Sequence, residues 1–187
     1  MKLQKIKAVC KQTKMVYILN DMDEQGGIGA QYISDGNAIY EICDSLTVTE
    51  ASLCAMWDIP EKEREKWIIR EGIKDKKINC EWGIAANKEL KEFGITISIG
   101  GMEYIPYLIS SGLIWLESIY MDPIADELQA LEFFERQTEE GKPYIVAQKG
   151  MIFVAAFIPV AEQVAAILEE KLWNIAVKVK KPERENK

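Results

Sequence analysis

The sequence predicts an α+β protein in which helices lie on one face of an antiparallel, hairpin-rich sheet. Short apolar runs alternate with polar residues and are separated by turn signals such as Gly100-Gly101 and Lys149-Gly150. Apolar residues recur at helical spacing in only a few stretches of the sequence. These predicted helices do not alternate one by one with predicted strands, as the helices of βαβ units do. These two observations favour α+β over a parallel α/β fold.

Residues 1–70 are predicted to form a β-rich half with one helix over 48–57. Ile6, Ala8 and Cys10 alternate with polar neighbours, so they are assigned to a hairpin with the apolar run at 15–19. Asp35-Gly36, between two further apolar runs, predicts a second hairpin with a type I′ turn. The spacing of Thr47 and Glu50 is that of a capping box at the start of the helix.

A charged junction over residues 71–94 is predicted to separate this half from a C-terminal α+β half over 95–180. Strands are expected at 67–69, 95–99, 102–108, 113–118, 144–148 and 151–158, with a helix over 120–131. Residues 132–137 either extend that helix or form a strand, and Phe133-Phe134 favours the strand. A final helix of about 14 residues follows Val160, then a short strand from Val177 and a frayed tail at 181–187.

Composition excludes several classes of function. The chain has 187 residues and a net charge of -7, so it has no overall attraction to nucleic acid or to an anionic membrane. Histidine is absent, which excludes Ser-His-Asp catalysis and His-ligated zinc. There is no signal peptide pattern and no C-x-x-C pair among the four cysteines, which predicts reduced, mostly buried thiols in a cytoplasmic protein outside the membrane.

Motifs that resemble ligand sites are incomplete. Asp21, Asp23 and Gly26 begin like a calcium loop, but Tyr32 stands where the bidentate Glu is required. No catalytic residue, metal or cofactor is therefore predicted, and the chain is expected not to be an enzyme. Catalysis by paired carboxylates is the remaining enzymatic alternative, with Asp122 and Asp126 as the first residues to test.

Charge is distributed unevenly along the chain. Residues 117–140 contain eight acids and one arginine, which predicts an acidic face that meets a basic partner; its members are Asp126, Glu127, Glu132 and Glu135. A basic patch is predicted where cations crowd one stretch, at Lys62, Arg64, Lys66, Arg70, Lys74, Lys76 and Lys77.

Five tryptophans offer candidate core and interface residues. Trp57 and Trp115 lie in apolar patterns and are predicted to be buried in the core. Trp67, Trp82 and Trp173 are predicted to be partly exposed, where they would serve as anchors for a partner.

Residues 113–160, about a quarter of the chain, resemble the closing segment of bacterial and phage sliding clamps, the β subunit of the replicative polymerase. The matching strings are Ile114-Trp115-Leu116, Tyr120-Met121, the charged run at 132–137, Lys142-Pro143-Tyr144-Ile145-Val146 and Phe157-Ile158-Pro159-Val160. The chain differs from that family in its shorter length, in the 27 residues after Val160, and in the acidity of its predicted helix.

The resemblance implies two similar clamp-like halves, a homo-oligomeric ring and contact with DNA only by encirclement. It also implies a hydrophobic pocket for a protein partner near Ile158, Pro159 and Val160. The first functional hypothesis is therefore a non-enzymatic, clamp-like interaction protein of phage or mobile-element origin, related to DNA replication. The alternative is a regulatory binding domain whose acidic face binds a protein or mimics nucleic acid.

Overall fold

A computed structural model describes residues 3–42, 47–74, 77–80, 88–90 and 93–179. The helices are α1 (Leu3–Thr13), α2 (Glu50–Met56), α3 (Glu61–Arg64), a 3₁₀ helix (Ser118–Ala130) and α4 (Glu162–Val179). The strands are β1 (Met15–Met22), β2 (Ile28–Ser34), β3 (Ala38–Ile42), β4 (Ile68–Ile73), β5 (Lys88–Leu90), β6 (Ile97–Ile99), β7 (Met102–Ile109), β8 (Gly112–Glu117), β9 (Glu132–Gln137), β10 (Pro143–Lys149) and β11 (Ile152–Phe157).

Within those residues, the strands form an eight-stranded sheet and a three-stranded sheet. The order of the large sheet is β4-β1-β2-β3-β11-β10-β9-β5, and the order of the small sheet is β6-β7-β8. Neighbouring strands are antiparallel except β1 and β4, which are parallel. The predicted α+β class is confirmed.

The large sheet has a symmetric order about the β3–β11 pair. On one side, α1 is followed by the antiparallel strands β1, β2 and β3; on the other, the 3₁₀ helix is followed by β9, β10 and β11. The two helices lie side by side, and the Lys5 ammonium is 3.5 Å from the Asp126 carboxylate. A single sheet therefore joins strands from both ends of the chain.

The prediction of an N-terminal hairpin was wrong, because residues 3–13 form α1. Ile6, Val9 and Cys10 are buried and occupy positions i, i+3 and i+4, which is the spacing of one helical face. Ala8, which the alternating pattern had placed with Ile6 and Cys10, is exposed. The strand expected at 15–19 is confirmed as part of β1.

The hairpin at Asp35-Gly36 is confirmed, but its type I′ turn is not. That turn requires positive φ at both central residues, whereas in this loop only Gly36 has one, at 99°. The Asp35 carboxylate instead accepts hydrogen bonds from the backbone N–H groups of Asn37 and Ala38, at 2.9 and 3.0 Å. This buried aspartate closes the loop with its side chain.

Two helix ends differ from their predictions. The capping box at α2 pairs Thr49 with Ser52, two residues after the predicted Thr47. The last helix continues to Val179, so the strand predicted from Val177 was wrong over 177–179. The remainder of that strand and the tail at 181–187 lie outside the described residues.

Three clusters of buried side chains are present among the described residues. The largest lies where α1, α2, the 3₁₀ helix and the small sheet cover one face of the large sheet. The second, on the opposite face, includes Ile39, Ile78 and Cys80. The third joins α4 to the outer face of the small sheet through Leu168 and Trp115. Among the described residues, no helix is long and apolar enough to span a membrane.

Candidate functional site

An open groove lies at the end of the large sheet where the β2–β3 loop, the β9–β10 loop and the residue after β11 meet. We call it the Ile158 groove; its volume is about 420 Å³, and it is lined by Ser34, Gly36, Ile39, Lys77, Ile78, Thr138, Glu139, Glu140, Lys142 and Ile158. Ile39 and Ile78 are buried, while Ile158 is 41% exposed. The groove therefore offers aliphatic side chains to a ligand that approaches from solvent.

Buried polar contacts hold Ile78 in this position. The neighbouring Asn79 donates its backbone N–H to the Tyr144 hydroxyl at 3.2 Å and accepts a hydrogen bond from the Arg136 guanidinium at 2.6 Å. Arg136 is 3% exposed, so its charge is removed from bulk water. These contacts fix the segment 77–80 against the sheet and so form one wall of the groove.

The rim of the groove carries opposite charges. The Lys142 ammonium lies 3.0 Å from the Glu140 carboxylate. The hydrogen bond from Lys142, together with the positive charges of Lys142 and Lys77, lowers the pKa of Glu140. Both groups are well exposed, so the pair has a small effect on stability, and it leaves the rim close to neutral.

The side chains of the three consecutive residues predicted to bind a partner do not share one surface. Ile158 donates its backbone N–H to the Asn37 carbonyl at 2.8 Å, which extends the sheet and places its side chain in the groove. Pro159 is half-buried, and Val160 packs with Trp115 and Leu168 beneath α4. The chain after β11 thus turns from the groove to the small sheet within two residues.

The structure separates the residues of the predicted acidic face. Glu132 is exposed, whereas Glu135 is 4% exposed and lies against Ser110. Asp126 pairs with Lys5, and Glu127 lies 3.3 Å from the Lys149 ammonium, whose hydrogen bond lowers the pKa of Glu127. These four residues therefore do not form a continuous acidic surface.

The predicted basic residues are dispersed as well. Lys62, Arg64 and Lys66 are exposed on and after α3, where Arg64 pairs with Glu50 at 2.8 Å, and Arg70 lies on the edge strand β4. Lys74 is largely buried, 3.8 Å from the Asp21 carboxylate. Lys77 lines the Ile158 groove, and Lys76 lies outside the described residues.

Sequence analysis missed the basic character of α1. Because residues 6–10 were assigned to a strand of a hairpin, Lys5, Lys7 and Lys11 were not recognised as members of one helix, which contains no acid. Lys5 pairs with Asp126, Lys7 donates to the Trp57 carbonyl, and Lys11 is exposed. Helical spacing of Ile6, Val9 and Cys10 was the signal available in the sequence.

A second cavity, of about 300 Å³, collects carboxylates beside the 3₁₀ helix. Glu103, Glu117 and Asp122 line it together with Ser118. Burial, followed by the negative charge of Asp35, raises the pKa of Glu117. Asp126, which sequence analysis had named with Asp122 as a candidate catalytic pair, does not line this cavity. No group of His, Cys, Asp and Glu in the described residues has an arrangement suited to a metal ion.

The thiols and tryptophans follow the predictions in part. Cys10, Cys54 and Cys80 are buried and unpaired, and Cys43 lies outside the described residues. Trp57 and Trp115 are fully buried and Trp173 is 70% exposed, all as predicted. Trp67 is buried, contrary to prediction, because it packs beside Trp57 with the Lys14 ammonium over its ring. Trp82 lies outside the described residues.

Comparisons of the chain with protein-family models, with curated proteins and with solved structures find no match.

Proposed function

We propose that this chain is a non-enzymatic protein-interaction module that binds a short aliphatic segment of a partner protein in the Ile158 groove. The observation that carries the proposal is an exposed isoleucine beside two buried ones in an open groove. Isoleucine has no polar group, so such a site gains its affinity by removing apolar surface from water. The neutral rim adds no preference for a strongly charged ligand.

We also propose that the module is clamp-like and related to DNA replication. The symmetric order of the large sheet and the adjacent α1 and 3₁₀ helices support two similar halves. Oligomerisation into a ring and encirclement of DNA are part of this proposal, as is an origin in a phage or mobile element. Contact with DNA requires positive charge near the phosphates, and the acidic 3₁₀ helix does not supply it. The lysines of α1, which lies beside that helix, are a source of positive charge.

The alternative, a regulatory domain with an acidic binding face, has weaker support. Of its four residues, Glu135 is buried and both Asp126 and Glu127 lie beside lysines. Such paired groups contribute less to the attraction of a basic partner than free carboxylates do. The apolar groove is therefore the better candidate site.

A selection of peptide ligands tests the groove. Ten-residue peptides displayed on phage are selected on the wild-type protein and then measured against Ile158→Asp, which places a charge in the groove. We expect the selected peptides to bind Ile158→Asp at least about tenfold more weakly than wild type, which corresponds to a loss of about 1.4 kcal/mol of binding free energy. Ile152→Asp, at the other end of β11 and 63% exposed, is the matched control. If the selected peptides bind Ile158→Asp as well as wild type, the proposal is wrong.

A further inference from the structure

A second apolar surface lies on one flank of α4, away from the Ile158 groove. A groove of about 410 Å³ is lined by Phe93, Leu113, Leu172, Trp173 and Ala176, and Glu169 is the one charged residue among the described residues of its lining. Leu108 is directly opposite Leu113 in the β7–β8 register, which extends the surface across the small sheet. We call these residues, without Glu169, the Trp173 surface.

The Trp173 surface is unusually open for such large side chains. Phe93, Leu108 and Trp173 are 51%, 57% and 70% exposed, respectively. Burying each of these side chains against another protein lowers the free energy, because the transfer of apolar surface out of water is favourable. Contiguous exposed apolar patches of this kind mark interaction sites more often than scattered single residues do.

Protrusion and cavity lie side by side on this surface. Trp173 is mostly exposed and is also one of the residues that line the groove between α4 and the small sheet. A two-fold interface requires one patch to fit itself, so that residue i contacts residue j and j contacts i. An exposed tryptophan beside an apolar groove large enough for an indole meets that requirement. A partner other than a second copy would need only the exposed indole or only the groove, not both.

We infer that the Trp173 surface is a two-fold interface with a second copy of this chain, in which each Trp173 enters the groove of the other copy. The exposed parts of Phe93, Leu108 and Trp173 amount to roughly 400 Å² of apolar area per copy, since large apolar side chains present on the order of 200 Å² each when fully exposed. Two copies together contribute roughly 800 Å² of apolar area. Because apolar atoms make up about 60% of a typical interface, the total buried area would be roughly 1,300 Å², at the low end of specific interfaces.

This interface shares no lining residue with the Ile158 groove, so loss of dimerisation and loss of peptide binding in that groove are separate results. Sedimentation equilibrium over about 1 μM to 1 mM chain measures the dimer. We expect Trp173→Ala to weaken dimerisation at least about tenfold, as substitution of a central tryptophan does. Ile167→Ala is the matched control, because Ile167 is 57% exposed on the same helix but does not line the groove. Both positions are exposed, so we expect both variants to fold, and thermal unfolding is the measurement that checks it.

Isotope-filtered NMR on a mixture of labelled and unlabelled chains then locates the contact. We expect nuclear Overhauser effects between the Trp173 indole of one copy and the methyl groups of Leu113 and Leu172 of the other. A chain that stays monomeric at 1 mM overturns the inference. So does a dimer that Trp173→Ala leaves unchanged, one that Ile167→Ala weakens equally, or one without these intermolecular effects.

Discussion

Glu135 and Ser110 form a buried contact that joins the large sheet to the small one. One carboxylate oxygen of Glu135 accepts hydrogen bonds from both the backbone N–H and the hydroxyl of Ser110, at 2.9 and 2.6 Å. Glu135 lies on β9 and Ser110 in the turn between β7 and β8. A glutamate from the most acidic stretch of the sequence therefore has a structural role.

Replacing this carboxylate is expected to destabilise the protein. Glu135→Gln removes the charge from two short hydrogen bonds in a buried site, which costs about 1–3 kcal/mol. The measurement is the free energy of unfolding in urea. Glu132→Gln, on the same strand but exposed, is expected to change it by less than about 0.5 kcal/mol. Equal unfolding midpoints for the two variants would show that the Ser110 contact contributes nothing.

Leu168 is the one fully buried side chain among the described side chains of α4, and Val164, Ala165 and Leu172 pack beside it. Leu168 is 0% exposed between α4 and the small sheet, while the adjacent Ile167 points to solvent. Leu168→Ala is expected to cost about 2–5 kcal/mol through lost burial and a residual cavity. Ile167→Ala is expected to cost less than about 0.5 kcal/mol. Urea unfolding gives both values, and similar losses in the two variants would contradict the packing described for α4.

Local signals in the sequence predicted much of the second half. The hairpins β6–β7, β7–β8 and β10–β11 each join apolar runs across a short turn, so their signal lies within about 20 residues. α1 was missed because a short segment can fit both periods. Residues 6, 8 and 10 have the alternating spacing of a strand, whereas residues 6, 9 and 10 have the spacing of one helical face. The β3–β11 pair could not be predicted, since no local pattern specifies which edges of two distant hairpins meet.

Of the residues that line the Ile158 groove, sequence analysis had assigned a functional role only to Ile158, as a partner-binding residue, and to Lys77, as part of the basic patch. Ile158 was identified through a resemblance, whereas Ile39 and Ile78 reach the groove through the pairing of β2 with β3 and the contacts of Asn79. Arg136, the one cation in an acidic stretch, gave no sign of its buried role. Side-chain partners that are more than 50 residues apart in the chain depend on the three-dimensional fold.

Glu117 is expected to make stability depend on pH. Burial and the charge of Asp35 raise its pKa in the folded protein, so the folded state holds this proton more tightly than the unfolded state. Stability should therefore fall as pH rises from the unfolded value of about 4.3 through the folded value, and Glu117→Gln should remove this decline. Glu103→Gln, at an exposed position of the same cavity, is the control. Unfolding midpoints between pH 4 and 8 that decline equally in wild type and Glu117→Gln would contradict this role.

Buried thiols are expected to resist modification until the protein unfolds. Burial raises the pKa of Cys10 far above its ordinary value and that of Cys80 to about 12, so the reactive thiolate is scarce at neutral pH. Iodoacetamide at pH 7.5, followed by peptide mass mapping, should leave both residues unmodified in buffer and label both in 8 M urea. The comparison between buffer and urea within one chain serves as the control. Rapid labelling of Cys10 in buffer would contradict its place on the buried face of α1, because access to that face requires α1 to leave the sheet.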